Sequence, residues 1–400
     1  MVSENFVEHR RLLLKFLLSS PLLSLIDCTS KSNEVKKAID LLSKPSDAIN
    51  VFDFEGMAKQ KLPPAHYGYL STGVNDDLTL QANRAAFSHY KLKMRRLTGV
   101  RDTDMSVELF GKKWPTPIVL CPVSSQRAFH EDGELGTARG AKTGNHLQIL
   151  STLTTASIEE VTRERGAPVW FQLYALKDWN ETVKMIHRAE ASGSEALVFT
   201  VDLTGGSENR ETMQRMIRLD TRVCTNCHTP DHKTFFNGRK PMIANVKTEG
   251  FESGLNWDYV DKLKSITKMK LMVKGIETAE DAQLCLDHHV DGIIVSNHGG
   301  RASETGRGTL ECLPEIVAVV NSRIPVLIDG GFRRGTDIFK ALALGANAVC
   351  VGRPYIWGLA SFGQQGVESV LKILSDELAL TMRHAGVSNV KNINMHYLTA

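Results

Sequence analysis

His298 and Arg301 stand three residues apart in GIIVSNHGGR, where an apolar run, Ile293 to Val295, breaks into Ser296, Asn297 and two glycines. An imidazole can accept a proton near neutral pH, and a guanidinium can hold a carboxylate with two parallel hydrogen bonds. Side by side on a turn leaving a strand, they suit removal of a proton or hydride next to a carboxylate. Alone, the same pair also reads as a hydrogen-bonded turn histidine beside a solvated arginine. Three more strand ends weigh against that reading. Thr200-Val201-Asp202 closes one apolar run with a carboxylate, Lys274-Gly275 closes another with an ammonium, and Gln172-Leu173-Tyr174 closes a third with an amide and a phenol. A carboxylate beside an imidazole orients the ring and stabilises its protonated form. Such a convergence of His, Asp, Lys, Gln, Tyr and Arg marks a catalytic mouth.

Two further loops suit an anion. Asp329-Gly330-Gly331-Phe332-Arg333-Arg334-Gly335 and Val351-Gly352-Arg353-Pro354 each join glycines to arginine after a short apolar run. Glycine lets backbone N–H groups approach a phosphate, and arginine adds charge. Loops after the last two strands of a parallel barrel commonly bind phosphate.

These positions need a scaffold that brings strand ends together. From about residue 115, β-rich runs alternate with amphipathic stretches. The expected strands are Pro117–Cys121, Leu147–Ser151, Val169–Tyr174, Ala196–Asp202, Lys270–Lys274, Gly292–Asn297, Val326–Asp329 and Ala348–Val351. Expected helices include Trp179–Ser192, Ala279–His288 and Thr336–Leu344, with Gly193 and Gly345 placed as C-caps. Near-continuous apolar strands with helical crossovers predict a parallel sheet covered by helices. Eight such units predict an α/β fold, the closed (β/α)8 TIM barrel, whose chemistry lies at the C-terminal strand ends. No glycine fingerprint of a dinucleotide-binding domain follows an early strand.

Residues 1–50 read as a leader or helical extension and 51–390 as the barrel unit, with 51–96 forming helices over one end and 391–400 a tail. The link of about residues 205–255 is far longer than usual, which predicts a functional or mobile insertion. The 400 residues are 42% apolar and 23% charged, a soluble globular composition. A net charge of +3, without a basic block interleaved with aromatics, gives no reason to expect nucleic acid. Seven cysteines, several inside apolar runs, argue against a disulfide framework. Arg10-Arg11 before Leu12 to Ile26 has the outline of a twin-arginine signal, but no small-x-small cleavage site follows. Lys15 and Pro21 interrupt that stretch, which is too short for a transmembrane helix. A cytoplasmic or membrane-peripheral protein with an amphipathic leader is the expectation, periplasmic export the alternative.

The segments AKQKLP (58–63), WFQLYALKD (170–178), VKGIETAEDA (273–282), IIVSNHGGR (293–301), IDGGFRRGTDIFKALALGA (328–346) and VGRP (351–354) together resemble the FMN-dependent α-hydroxy acid oxidases and dehydrogenases. That family includes glycolate oxidase, lactate oxidase, mandelate dehydrogenase and flavocytochrome b2, and the resemblance spans about Ala58 to Ala385. It implies FMN as cofactor and oxidation of an L-2-hydroxy acid to the 2-oxo acid. The acceptor would be oxygen, a quinone or a cytochrome, and the assembly a homotetramer. It further implies His298 as base with Asp202 as its partner. Arg301 and Arg210 would grip the substrate carboxylate, and Tyr69 and Tyr174 would bond the substrate. Lys274 would lie at the N1/C2 edge of the flavin. Gln172, Thr200, Ser151, Ser296 and the Pro122-Val123-Ser124 segment would contact the ring or ribityl chain, and Asp329 the ribityl hydroxyls. Gly330, Gly331, Arg333, Gly352 and Arg353 would hold the phosphate.

Several positions depart from the family pattern. Pro122-Val123-Ser124 replaces Pro-Thr-Ala, so Ser124 either tunes oxygen reactivity or caps a turn. TVDLTGGSENRE needs one inserted residue to place Arg210. Leu153 replaces a bulky aromatic and predicts a roomier, more apolar substrate pocket; Glu304 replaces an aspartate. The long loop carries Cys224-Thr225-Asn226-Cys227-His228, the attachment pattern of c-type haem, with Met213, Met216 or Met242 as a sixth ligand. Zinc on Cys224, Cys227, His228 and His232 is a second option, and reduced free thiols a third. Another FMN barrel, an isomerase or nitronate oxidiser, would need the phosphate loops but not Arg301. An electron-transfer protein would rely on the CxxCH loop.

Overall fold

In the computed structural model, residues 42–222, 240–243 and 250–399 are described. Eight parallel strands close into a barrel: β1 Ile118–Leu120, β2 Leu147–Ser151, β3 Trp170–Leu173, β4 Ala196–Thr200, β5 Lys270–Ile276, β6 Gly292–Val295, β7 Val326–Ile328 and β8 Ala348–Val351. Neighbours in sequence are neighbours in space, and β8 returns to β1. Nearly every strand residue is buried, as parallel strands wrapped by helices require. The (β/α)8 expectation therefore holds.

Register sets the height of the mouth. Ser151 pairs with Gln172, and Thr200 pairs with Lys274, so polar side chains from adjacent strands share the top layer. A bulge between Lys274 and Ile276 shifts the β5–β6 register. Gly275 sits in that bulge with φ 111°, and a Cβ there would fall 2.7 Å from Cβ of Asp202. Only glycine allows the two backbones to approach so closely.

The expected strand limits shift by small amounts. Asp202 and Asn297 lie beyond the last ladder residues of β4 and β6, whereas β5 continues two residues past Lys274. The three named helices appear as Trp179–Ala191, Ala279–Asp287 and Gly335–Ala343. At the opposite end of the barrel, a hairpin of Val107–Leu109 and Lys112–Trp114 places Phe110 on Trp170, ring centroids 5.4 Å apart.

Among the described residues, three α-helices precede the barrel: α1 Val51–Lys61, α2 Pro64–Ser71 and α3 Leu78–Ala85. Asn50 caps α1 by accepting from Phe52 N, and Glu304 accepts from Leu78 N at the start of α3. Glu304 thus ties α3 to the His298 loop. Near the C-terminal end, Leu398–Thr399 pairs antiparallel with Lys91–Leu92. Within the long connection, Glu211–Arg218 forms helix α4, packed on α2. Part of that insertion, residues 223–239 and 244–249, lies outside the described residues. So do the leader through residue 41 and the Cys224-Cys227-His228 motif with His232. Met213 and Met216 sit on α4, and Met242 is buried elsewhere in the connection.

Candidate active site

Asp202, His298, Lys274 and Asp329 come from the ends of four different strands and meet in one network. The Nδ1 of His298 lies 2.8 Å from Oδ1 of Asp202. With Nδ1–H donating there, Nε2 keeps its lone pair and lies 3.4 Å from the Tyr174 hydroxyl. His298 itself has φ 58°, held open in part by its backbone N–H donating to the Ser296 hydroxyl at 3.1 Å. That hydroxyl also accepts from Lys274 at 2.7 Å and donates to Asp329 at 2.8 Å. Lys274 Nζ lies 3.6 Å from Asp202 and 3.4 Å from Asp329. Burial works against the ammonium, yet the two carboxylates outweigh it and raise its pKa, so Lys274 stays charged. Burial also lowers the His298 pKa, against the pull of Asp202 and with help from Lys274 and Arg301. The result is a neutral imidazole at physiological pH, as a base needs.

The two tyrosines are driven apart electrostatically. Burial and the Asp202 charge push the Tyr174 phenol up. Burial would do the same to Tyr69, but Arg301, a bond to Ser124, Arg210 and Lys240 bring it below the usual range. Tyr69 Oη lies 3.0 Å from Ser124 Oγ, so this departure from the family pattern serves to position the phenol. Arg301 stacks over the Tyr69 ring at 4.6 Å and donates to the Tyr69 carbonyl at 3.1 Å. Arg210 begins α4 and donates to the Arg301 carbonyl at 3.2 Å; its Nε is buried with no hydrogen-bond partner. Among the described residues neither guanidinium has a carboxylate within ion-pair distance. A pair of such cations is set for an incoming carboxylate.

The cofactor expectation can be tested on the other arginines. Arg333 is buried over the Trp357 ring at 4.5 Å and donates to the Phe332 carbonyl at 2.8 Å. Arg353 donates to the carbonyls of Leu70 (2.7 Å), Gly299 (2.9 Å) and Thr72 (3.0 Å). Neither forms an ion pair among the described residues. Burial first, then nearby arginines, lower both; Arg333 falls to about 10. Two enclosed cations held only by carbonyls are costly unless a dianion completes them. They line one pocket with Gly330, Gly331, Gly352, Pro122 and Val123, next to Lys274 and Asp329. Gly331 has φ 82°, and a Cβ would sit 2.0 Å from the Asn83 carbonyl, which presses the loop against α3. Farther in, Gln172 donates to Thr200 at 3.0 Å, and Ser151 Oγ accepts from Leu153 N. The residues present therefore fit FMN: Arg333 and Arg353 would suit its phosphate, and Lys274 a polar edge of its ring.

Sequence reasoning missed the supports of this mouth. Asn83 and Asn297 exchange amide hydrogen bonds at 2.8 and 3.0 Å, clamping α3 to the His298 loop. Nothing local in either segment announces that pairing. It also missed part of the wall of the cavity beside His298, which comes from Met213, Ile217 and Phe251 as well as Leu153.

Comparison with known proteins agrees with this geometry. The family described as FMN-dependent dehydrogenase matches residues 58–400. A 2-hydroxyacid oxidase of Dictyostelium discoideum is 40% identical, over 86% of this chain and 89% of its own. Glycolate oxidase of Spinacia oleracea is 38% identical, over 88% of this chain and 95% of its own. A solved mandelate oxidase superposes with a TM-score of 0.78 at 34% identity, covering 88% of this chain and 98% of its own.

Proposed function

The chain belongs to the FMN-dependent dehydrogenase family, and from that premise we propose that it oxidises an L-2-hydroxy acid to the 2-oxo acid with His298 as the base. One observation carries the assignment: His298 is anchored through Nδ1 to Asp202 while the opposite side of its ring opens onto the cavity beside Arg210. Arg301 and Arg210 hold the substrate carboxylate, which fixes C2 and its hydroxyl against the imidazole. His298 accepts the proton that the substrate releases, and Asp202 stabilises the imidazolium that forms. Tyr174, held protonated by its surroundings, donates to the substrate oxygen, and Tyr69 supports the carboxylate side. Lys274 keeps a positive charge at the inner face throughout, balanced by Asp202 and Asp329.

Gln172, Thr200, Ser151 and Ser296 would line the ring and ribityl chain of FMN, Asp329 the ribityl hydroxyls, and Arg333 and Arg353 the phosphate. FMN, when bound, would supply the two-electron acceptor, with oxygen, a quinone or a cytochrome as the final oxidant. Replacement of His298 by Ala should slow anaerobic flavin bleaching by substrate by about 10²- to 10⁴-fold while FMN absorbance is retained. A wild-type bleaching rate in that variant overturns the assignment. Admission of air after bleaching then reports whether oxygen is an acceptor.

A further inference from the structure

We propose that the substrate carries a large apolar side chain on C2, aliphatic or aryl, rather than the hydrogen or methyl of the smallest 2-hydroxy acids. The inference rests on the assignment of His298, Arg301 and Arg210 made above and extends it outward from the reacting carbon. A cavity of about 580 Å³ opens from His298 and Tyr174 toward the surface. The flavin ring would take the part of that space at Ser124 and Thr200; what is left runs past Leu153 to Met213, Ile217 and Phe251, farther than the hydrogen or methyl of the smallest acids would reach.

The chemistry of the walls says what fills it. Polar groups cluster at the inner end, at His298, Tyr69, Tyr174 and Arg210. Beyond them the walls are Phe129, Leu153, Ala175, Met213, Ile217 and Phe251. Such walls offer water few hydrogen bonds, so displacing it with methylene or aryl groups is favourable.

The outer rim also argues against a second carboxylate on the substrate. Asp220 accepts from Arg222 through both oxygens, at 2.9 Å each, and from the Ala65 backbone. Glu252 faces the same cavity, with one oxygen accepting from Ser253 N and Gly254 N. Arg222 lines the same rim, so a distal anion would have to compete with Asp220 for that guanidinium and would meet Glu252 as well. Ile217 is 46% exposed at the rim, so an apolar tail keeps a partner as it leaves the cavity.

Anaerobic flavin reduction of the FMN-loaded enzyme tests this with glycolate, L-lactate, L-2-hydroxyhexanoate, L-2-hydroxyoctanoate and L-3-phenyllactate. Each added methylene should raise kcat/KM by about fourfold, the equivalent of ~0.8 kcal/mol per buried CH₂. Phenyllactate against hydroxyoctanoate separates an aryl from an aliphatic preference. Binding without turnover gives a second readout: octanoate should perturb the flavin spectrum at far lower concentration than acetate. Met213→Trp, which fills the cavity, and Ile217→Asp, at the exposed rim, should each lower the hydroxyoctanoate-to-lactate ratio of kcat/KM at least tenfold. Rates that are flat or falling with chain length, with acetate and octanoate binding alike, overturn the proposal and leave hydroxy acid oxidation standing. Flavin bleached by none of the acids overturns both.

Discussion

At the scale of single residues, His298 is poised by opposing influences. Burial, Lys274 and Arg301 lower its pKa, and Asp202 raises it, with a net fall below the ordinary 6.5. With His298 as the proposed base, the unprotonated form is the active one, so a depressed pKa extends activity toward acid. The acid limb of log kcat/KM should therefore fall with unit slope at a pH below 6.5, which a pH–rate profile measures. Asp202→Asn should shift that limb further down, because the anion that raises the pKa is gone. Its plateau should drop about a hundredfold or more, since the ring loses the acceptor that sets its tautomer. The same balance explains what was legible in the residues themselves. His298, Arg301, Asp202 and Lys274 stand at strand ends, where their side-chain types already suggest roles. Ser296 seemed only a cofactor contact, yet its hydroxyl joins Lys274, Asp329 and the His298 backbone. That three-way bridge depends on β5, β6 and β7 lying side by side, which no local pattern encodes.

At the scale of elements, eight strands were readable because burial on both faces makes them continuous apolar runs. Their ends were read less well, for a physical reason. Asp202 and Asn297 continue the chain direction after ladder pairing has stopped, and the bulge at Gly275 lets β5 resume pairing past Lys274. Helix α4 was lost inside the long connection because its eight residues bury no side chain fully. Its packing on α2 nevertheless sets where Arg210 stands. A Cβ added at Gly68 would lie 3.0 Å from Cβ of Met216, so Gly68→Val should push α4 outward. Steady-state kinetics should show KM rising roughly tenfold with a smaller change in kcat, because the carboxylate clamp loosens while His298 stays in place. An unchanged KM would mean that α4 does not position Arg210.

At the scale of the whole molecule, the barrel, the α3 clamp and the pairing of Leu398–Thr399 with Lys91–Leu92 gather distant parts of the chain around one cofactor pocket. FMN binding should consequently stabilise the entire fold, by about 2.7 kcal/mol at a hundredfold excess over Kd. Differential scanning fluorimetry should show Tm rising with FMN concentration. Arg353→Met should weaken FMN binding by about 10- to 100-fold, through lost charged hydrogen bonds, and flatten that rise. The described residues contain no helix long and apolar enough to cross a membrane. The fold also divides labour in a way that bears on descent and on directed evolution. The proposed proton-handling groups, Asp202 and His298, stand just beyond strands fixed by the barrel ladder, while Met213, Ile217 and Phe251 hang from a single connection. Under the proposed reading, substitutions confined to those three positions, leaving Arg210 in place, would retune which acids are accepted without moving His298 or Asp202. A lineage built this way can diversify its diet by rewriting a few codons, and a library restricted to those codons explores the same landscape.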